Sequence, residues 1–176
     1  MIKLFIIGNE FVNDQRRFTG AEEMDNRDLQ DYINRNKLDA KILYFDKPTV
    51  TVEDAVRQLK ISKEHIIKSI LLMDEKGQPT LVIVSGDRKV SLGKVSKVVG
   101  AGVRIAKAKE VKEVLGYEVG AVPPIGHKDK LRTLLDIDVL RYEKVVGGGG
   151  KTNALLEINP RDVLRLNDAE LCDVSE

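Results

Sequence analysis

The chain contains no tryptophan, and its four tyrosines and four phenylalanines bring aromatics to only 5% of residues. That scarcity argues against a face that holds nucleic acid mainly by stacking bases on rings. A single cysteine, Cys172, rules out an internal disulfide and any multi-cysteine zinc or iron–sulfur centre, and fits a reducing compartment. The two histidines, His65 and His127, lack the helical spacing of a zinc-protease pair and read as surface or packing residues; no metal and no cofactor are expected. No G-x-S-x-G nucleophile elbow occurs. Long apolar runs are missing too. The stretch Ile2–Ile7, interrupted by Lys3, is too short for a signal-peptide core or a bilayer span, so the expected location is cytoplasmic, with no membrane partner. Nor is there an excess of charge of one sign: 29 basic against 28 acidic side chains leave +1, which excludes a uniformly basic coat for nucleic acid.

What is present is a globular composition, 42% hydrophobic and 32% charged over 176 residues, enough for one domain with a real core. The charge is unevenly placed. Residues 1–56 hold 8 basic and 11 acidic groups, residues 57–112 hold 13 and 5, and residues 113–176 hold 8 and 12. The basic middle third carries Arg57, Lys60, Lys63, Lys68, Arg88, Lys89, Lys94 and Lys97, a footprint for a phosphate-bearing partner; solvated helix faces are the bland alternative.

Periodicity gives short alternating elements. A helix is expected over about 26–37 through Leu29 and Ile33, and a strand over Ile42–Phe45 ending at Pro48. Thr51 with Asp54 forms a capping box opening a helix with Ala55, Val56 and Leu59. Ile66–Leu72 and Thr80–Val84, joined by Asp74-Glu75-Lys76-Gly77, read as an antiparallel hairpin. Leu92–Val99 suits a helix closed by Gly100, Val103–Ala106 a strand, and Lys109–Leu115 a helix stopped by Gly116. Extended segments at Leu131–Asp136, Glu143–Val146 and Ala154–Ile158 precede a helix from Pro160 to Leu166. The expected fold is a single α/β (α+β) domain, residues 24–176, on a mixed, largely antiparallel sheet or partial barrel with short surrounding helices. Residues 1–23, with a candidate strand at Leu4–Gly8, are an N-terminal extension: an added strand, or the product of a start upstream of Met24.

Three features suggest chemistry. Gly147-Gly148-Gly149-Gly150-Lys151-Thr152 ends like a phosphate-binding loop, but Val145 stands where that motif needs glycine and a strand rather than a helix follows. The four glycines permit either close backbone approach to a ligand or merely a flexible turn. Gly120-Ala121-Val122-Pro123-Pro124, followed by Ile125-Gly126, is stiff at proline and free at glycine, suited to aiming amides at an oxyanion, with a structural crossover as the alternative. Lys68 lies inside an apolar run, where an ordinary edge-strand lysine is the simpler reading. Asp136 and Asp138 are carboxylates that could pair or serve as turn and cap residues.

In their order and spacing these pieces resemble the YbaK/ProX family of aminoacyl-tRNA deacylases, also found as the editing insertion of bacterial prolyl-tRNA synthetases. The resemblance runs from about Asp39 to Val174. It is carried by Ile66–Leu71, Val84–Lys94 (VSGDRKVSLGK), Gly116-Tyr117 leading into Gly120–Gly126, Leu135-Asp136 and the glycine run before Leu155. It implies a trans-editing hydrolase that cleaves the ester of mischarged tRNA, with alanine or cysteine on proline tRNA as the family's expectation. It also implies Lys68 as the essential lysine, with Gly120, Ala121, Val122, Pro123 and Pro124 as the catalytic loop. Gly147–Gly150, Ser69 and Asp136 would bind substrate, and Arg57, Lys60, Arg88, Lys94 and Lys97 would meet the tRNA acceptor end. A synthetase is a further candidate partner. Gly93 departs from the charged residue many relatives carry before Lys94. The rival from another class is a module that binds tRNA ends or a synthetase without hydrolysis.

Overall fold

The computed structural model describes residues 23–176. The expected strand at Leu4–Gly8 lies outside them. Helix α1 (Asn26–Arg35) is opened by Asp25, whose carboxylate takes the Arg27 amide while Asp28 reaches back to the Asp25 amide at 2.8 Å. Its apolar pair Leu29 and Ile33, one turn apart, is buried. Strand β1 (Lys41–Tyr44) leads to α2 (Val52–Leu59), where the Thr51–Asp54 capping box forms as its spacing predicts, with bonds of 3.1 and 3.2 Å.

The hairpin of β2 (Ile67–Asp74) and β3 (Pro79–Ser85) pairs Ile70 with Val82, and its turn is fixed by Asp74, whose Oδ1 accepts from the Lys76 and Gln78 amides. After it come α3 (Leu92–Val99), β4 (Val103–Ile105), α4 (Ala108–Leu115), β5 (Arg132–Asp136), β6 (Val145–Gly148), β7 (Ala154–Ile158), α5 (Pro160–Leu166) and β8 (Glu170–Cys172). Single 3-10 turns stand at Lys63–His65 and Ile137–Arg141.

These strands form two sheets rather than one. The larger runs β4-β2-β3-β5-β8, antiparallel on the β4 side and parallel on the β8 side; the smaller is β1-β7-β6, wholly antiparallel. A mixed α/β domain stands as expected, without a closed barrel. Neither β8 nor the 3-10 turns were expected from periodicity, since three residues carry too little of it. Strand β3 is central and covered on both faces, which explains its unbroken apolar run. Leu81 and Ile83 enter the main core with Ile67, Leu71, Leu115, Tyr117 and Leu156; Val82 and Val84 enter a second core with Leu72 and Val95. A parallel bridge from Ile66 to Val146 joins the sheets beside the first half of β2. Strand β4 covers only the far half, Leu72–Asp74, so the edge of β2 near Lys68 lies open.

Candidate active site

At that open edge lies a cleft of about 240 Å³ between the sheets, lined by Lys68 and Ser69 of β2, Gly120 and Val122 of the proline loop, and Gly147 and Gly148 of β6. Its apolar walls come from Val52 and Ala55 of α2 with Ile70 and Leu155, and Val50 and Val119 stand exposed at its rim. Three segments separated by about fifty and about thirty residues in sequence thus meet at one place.

Lys68 is half-buried, and its Nζ donates to the Arg88 carbonyl. Burial pushes its pKa below the usual lysine value, while Asp87 and Glu53 pull it back up and Lys89 and Lys63 push it down again. An ammonium has three donors, so one bond to Arg88 leaves two for a ligand. The neighbouring Ser69 presents its other side. Leu71 gives its carbonyl to the Ala106 amide, away from β3, and in an antiparallel ladder the residue two back points the same way. The Ser69 main chain therefore faces the open edge, and its buried Oγ has no hydrogen-bond partner among the described residues.

The proline loop is held rigidly from behind. Gly150 N–H donates to the Ala121 carbonyl at 2.9 Å, His127 Nε2 to Pro123 at 2.7 Å, Asn167 Nδ2 to Pro124 at 2.8 Å, and the buried Tyr117 hydroxyl to Gly126 at 2.9 Å. In a trans peptide the N–H lies opposite the carbonyl before it. Anchoring Ala121 O on Gly150 therefore turns the Val122 amide the other way, and among the described residues neither that amide nor the Gly120 amide has an acceptor. Gly120 itself sits at φ +85°, a conformation that only glycine adopts without strain. His127 is the unanticipated clip. Because its partner is a carbonyl, Nε2 must carry a proton, and burial lowers the ring's pKa to about 4, so it stays neutral.

The glycine run is no phosphate loop. Gly147 and Gly148 finish β6, and Gly149–Asn153 turn directly into β7 with no helix to present amides. Gly147 and Gly148 instead allow the proline loop to lie flat on β6: a methyl on Gly148 would sit 2.8 Å from the Val122 carbonyl carbon. Ala121, Pro123, Pro124, Gly149 and Gly150 stand behind the cleft rather than on its wall. Asp136 is also elsewhere, 1% exposed on β5, its two oxygens taken by the Asp138 and Val174 amides at 3.1 and 3.0 Å.

The five basic residues divide. Arg57, paired with Asp54, and the exposed Lys60 lie on or at the end of α2, whose Val52 and Ala55 line the cleft. Arg88 and Lys94 bond to Ser175, at 3.3 Å to its hydroxyl and 2.6 Å to its carbonyl, and Lys97 is exposed on α3. Sequence reasoning missed Val50, Val119, the Arg88 carbonyl and His127. Only the last had a signal, its position one residue after Gly126.

Among the described residues no group of three or more His, Cys, Asp or Glu is arranged to hold a metal, and no helix is long and apolar enough to cross a membrane. A cleft with one lysine, main-chain donors held by a rigid loop and no cysteine, histidine or carboxylate in its lining defines a protein that handles a polar group through amides and a cation. The chain belongs to the family described as the aminoacyl-tRNA editing domain, whose pattern matches residues 46–166; it is an aminoacyl-tRNA deacylase.

Among solved structures, "a putative trans-editing enzyme for prolyl tRNA synthetase" superposes with a TM-score of 0.78 at 33% identity, covering 86% of this chain and 96% of that one. A protein of Enterococcus faecalis named "Putative Cys-tRNA(Pro)/Cys-tRNA(Cys) deacylase" is 24% identical over 127 residues, 72% of this chain and 77% of its own length. The proline–tRNA ligase of Thermodesulfovibrio yellowstonii is 28% identical over 107 residues, 61% of this chain; the match spans only 18% of that ligase.

Proposed function

We propose that this chain acts in trans on proline tRNA mischarged with a small amino acid, alanine or cysteine, and that Lys68 and the Gly120 and Val122 amides carry the reaction. The observation that carries this reading is the meeting of Lys68 with acceptor-free amides of a rigid loop in one cleft of about 240 Å³. In this mechanism the ester carbonyl of the aminoacyl group lies against the amides, which stabilise the negative charge of the tetrahedral intermediate as water adds. Lys68 holds the terminal nucleotide with its two remaining N–H donors. The open main-chain edge at Ser69 takes polar atoms of the aminoacyl group. The resemblance to the deacylase family implies that the 2′-hydroxyl of the terminal adenosine assists the water, in a cleft whose lining holds no cysteine, histidine or carboxylate.

The walls Val52, Ala55, Ile70 and Leu155 suit a short, apolar side chain. Contact with such a wall separates neighbours differing by one methylene by about 1–3 kcal/mol. The names of the relatives point to proline and cysteine tRNAs, and the exposed Arg57 and Lys60 beside the cleft suit the acceptor end.

The deciding experiment offers the protein a panel of misacylated tRNAs, with the Lys68→Ala variant in parallel. Release of alanine or cysteine from proline tRNA is expected, with a loss of about 100-fold in Lys68→Ala, the cost of misplacing the ester by about 1 Å when the terminal nucleotide is no longer held, and an unchanged thermal melt. Release of no amino acid above buffer would leave a module that binds tRNA ends; undiminished hydrolysis by Lys68→Ala would remove that residue from the mechanism.

A further inference from the structure

One side-chain network in the fold has no part in the cleft yet ends on its lysine. The Arg88 carbonyl accepts from Lys68 Nζ. Arg88 sits in the loop between β3 and α3, and that loop is bound along its length to residues 174–176. Lys89 and Glu176 exchange two main-chain bonds of 2.9 Å, Ser91 N–H donates to the Val174 carbonyl at 2.8 Å, and Val90 bridges Ser175. Side chains secure the same join. Arg88 Nε donates to Ser175 Oγ at 3.3 Å and lies 3.8 Å from Asp138 Oδ2, and Lys94 Nζ reaches the Ser175 carbonyl at 2.6 Å and Asp173 at 2.7 Å. Behind them the buried Asp136 accepts the Val174 and Asp138 amides, which ties the segment and the Asp138 turn to β5.

We propose that Ser175, Asp136 and the Arg88 side chain are positioning residues for Lys68, fixing the Arg88 carbonyl on which its ammonium rests. A lysine side chain has four rotatable bonds, and a half-buried one gains a defined reach only if its resting partner is itself fixed. Arg88 is a loop residue, so its carbonyl direction is set by what holds the loop. Here that is a three-residue strap and a carboxylate whose two oxygens are both spent on backbone amides. This accounts for a buried Asp136 that lies outside the cleft lining. The groups around the Lys68 ammonium are Asp87 and Glu53, of opposite charge, and Lys89 and Lys63, of like charge. Release from the Arg88 carbonyl would move the ammonium towards water, and its titration with it.

The proposal rests on the reading of Lys68 as a catalytic residue, and its test separates the two. Ser175→Ala removes the hydroxyl that holds Arg88. Ser175→Thr keeps it. Asp136→Asn replaces one amide acceptor by a donor at nearly the same volume. Each is measured in single-turnover deacylation and, without substrate, by NMR of 13Cε/15Nζ-labelled lysine, with the Lys68 signal assigned from Lys68→Arg. The expected result is a roughly 10-fold lower kcat for Ser175→Ala, more for Asp136→Asn, with KM within about 2-fold of the parent, and near-parental rates for Ser175→Thr. The Lys68 titration midpoint should rise in the two impaired variants and stay put in Ser175→Thr. If Asp136→Asn fails to fold, Ser175→Ala, which loses one part-buried bond, decides. A Lys68 signal that titrates unchanged in Ser175→Ala overturns the proposal, as does a raised KM at constant kcat, which would make Arg88 a tRNA contact. A shifted Lys68 signal in a protein that deacylates nothing would uphold the positioning and refute the editing reading alone.

Discussion

Alanine at Gly148 tests whether the proline loop and β6 must touch. A Cβ added there lies 2.8 Å from the Val122 carbonyl carbon and 3.0 Å from that of Ala121. Carbon atoms sit comfortably at about 3.5–4.0 Å, so relief requires a displacement on the order of 1 Å. Both obstacles are backbone, and the loop cannot recede, because Gly150, His127 and Asn167 hold its carbonyls from behind. Overpacking of this kind costs about 1–3 kcal/mol of stability. A 1 Å misplacement of a group that meets the reacting atoms costs about 100-fold in rate. Urea unfolding and single-turnover hydrolysis of alanyl-tRNA(Pro) read the two effects separately. Gly93→Ala is the control: nothing lies within 4 Å of its added methyl in α3, and the helix should gain up to about 1 kcal/mol without a change in rate. A Gly148→Ala protein with parental stability and parental rate would refute the claim that the loop rests on bare β6 backbone.

Two further outcomes follow from the same structure. His127 is held neutral with its pKa lowered to about 4, against 6.5 when unfolded, so the unfolded chain binds the extra proton first. Its contribution is complete above about pH 6.5 and is lost as pH falls towards 4, up to about 3 kcal/mol; His127→Gln should flatten that part of the stability–pH curve, and an unchanged curve would mean that another group titrates there. If the basic middle third meets tRNA, affinity measured by filter binding should drop roughly 3-fold per phosphate contacted between 50 and 200 mM salt, and a flat response would contradict the patch.

The local elements were readable because their causes are local. The Asp54 cap lies three residues from Thr51, and the hairpin turn is closed by Asp74 and Gly77 within its own few residues. The helix ends at Gly100 and Gly116 are left-handed, as glycine after a periodic run implies. Reading the order of the motifs was also enough to place the chain in its family, because spacing along the sequence is what a family preserves. Strand β8 was not readable: three residues, Glu170–Cys172, become a strand only because β5 offers a parallel edge.

Sequence alone therefore determined the longer elements, the absence of any internal disulfide, and the three segments that meet at the cleft. Tertiary structure decided how those segments work. It put Ser69 and Lys68 at an edge that β4 leaves uncovered, and explained the glycines at 147 and 148 by the loop lying on them rather than by a phosphate. It also took Asp136 out of the cleft and into the scaffold. The reason is range. A cap or a turn is fixed by neighbours within four residues. A cleft is made of contacts between residues from about thirty to about a hundred apart, whose energy appears only when the two sheets have packed.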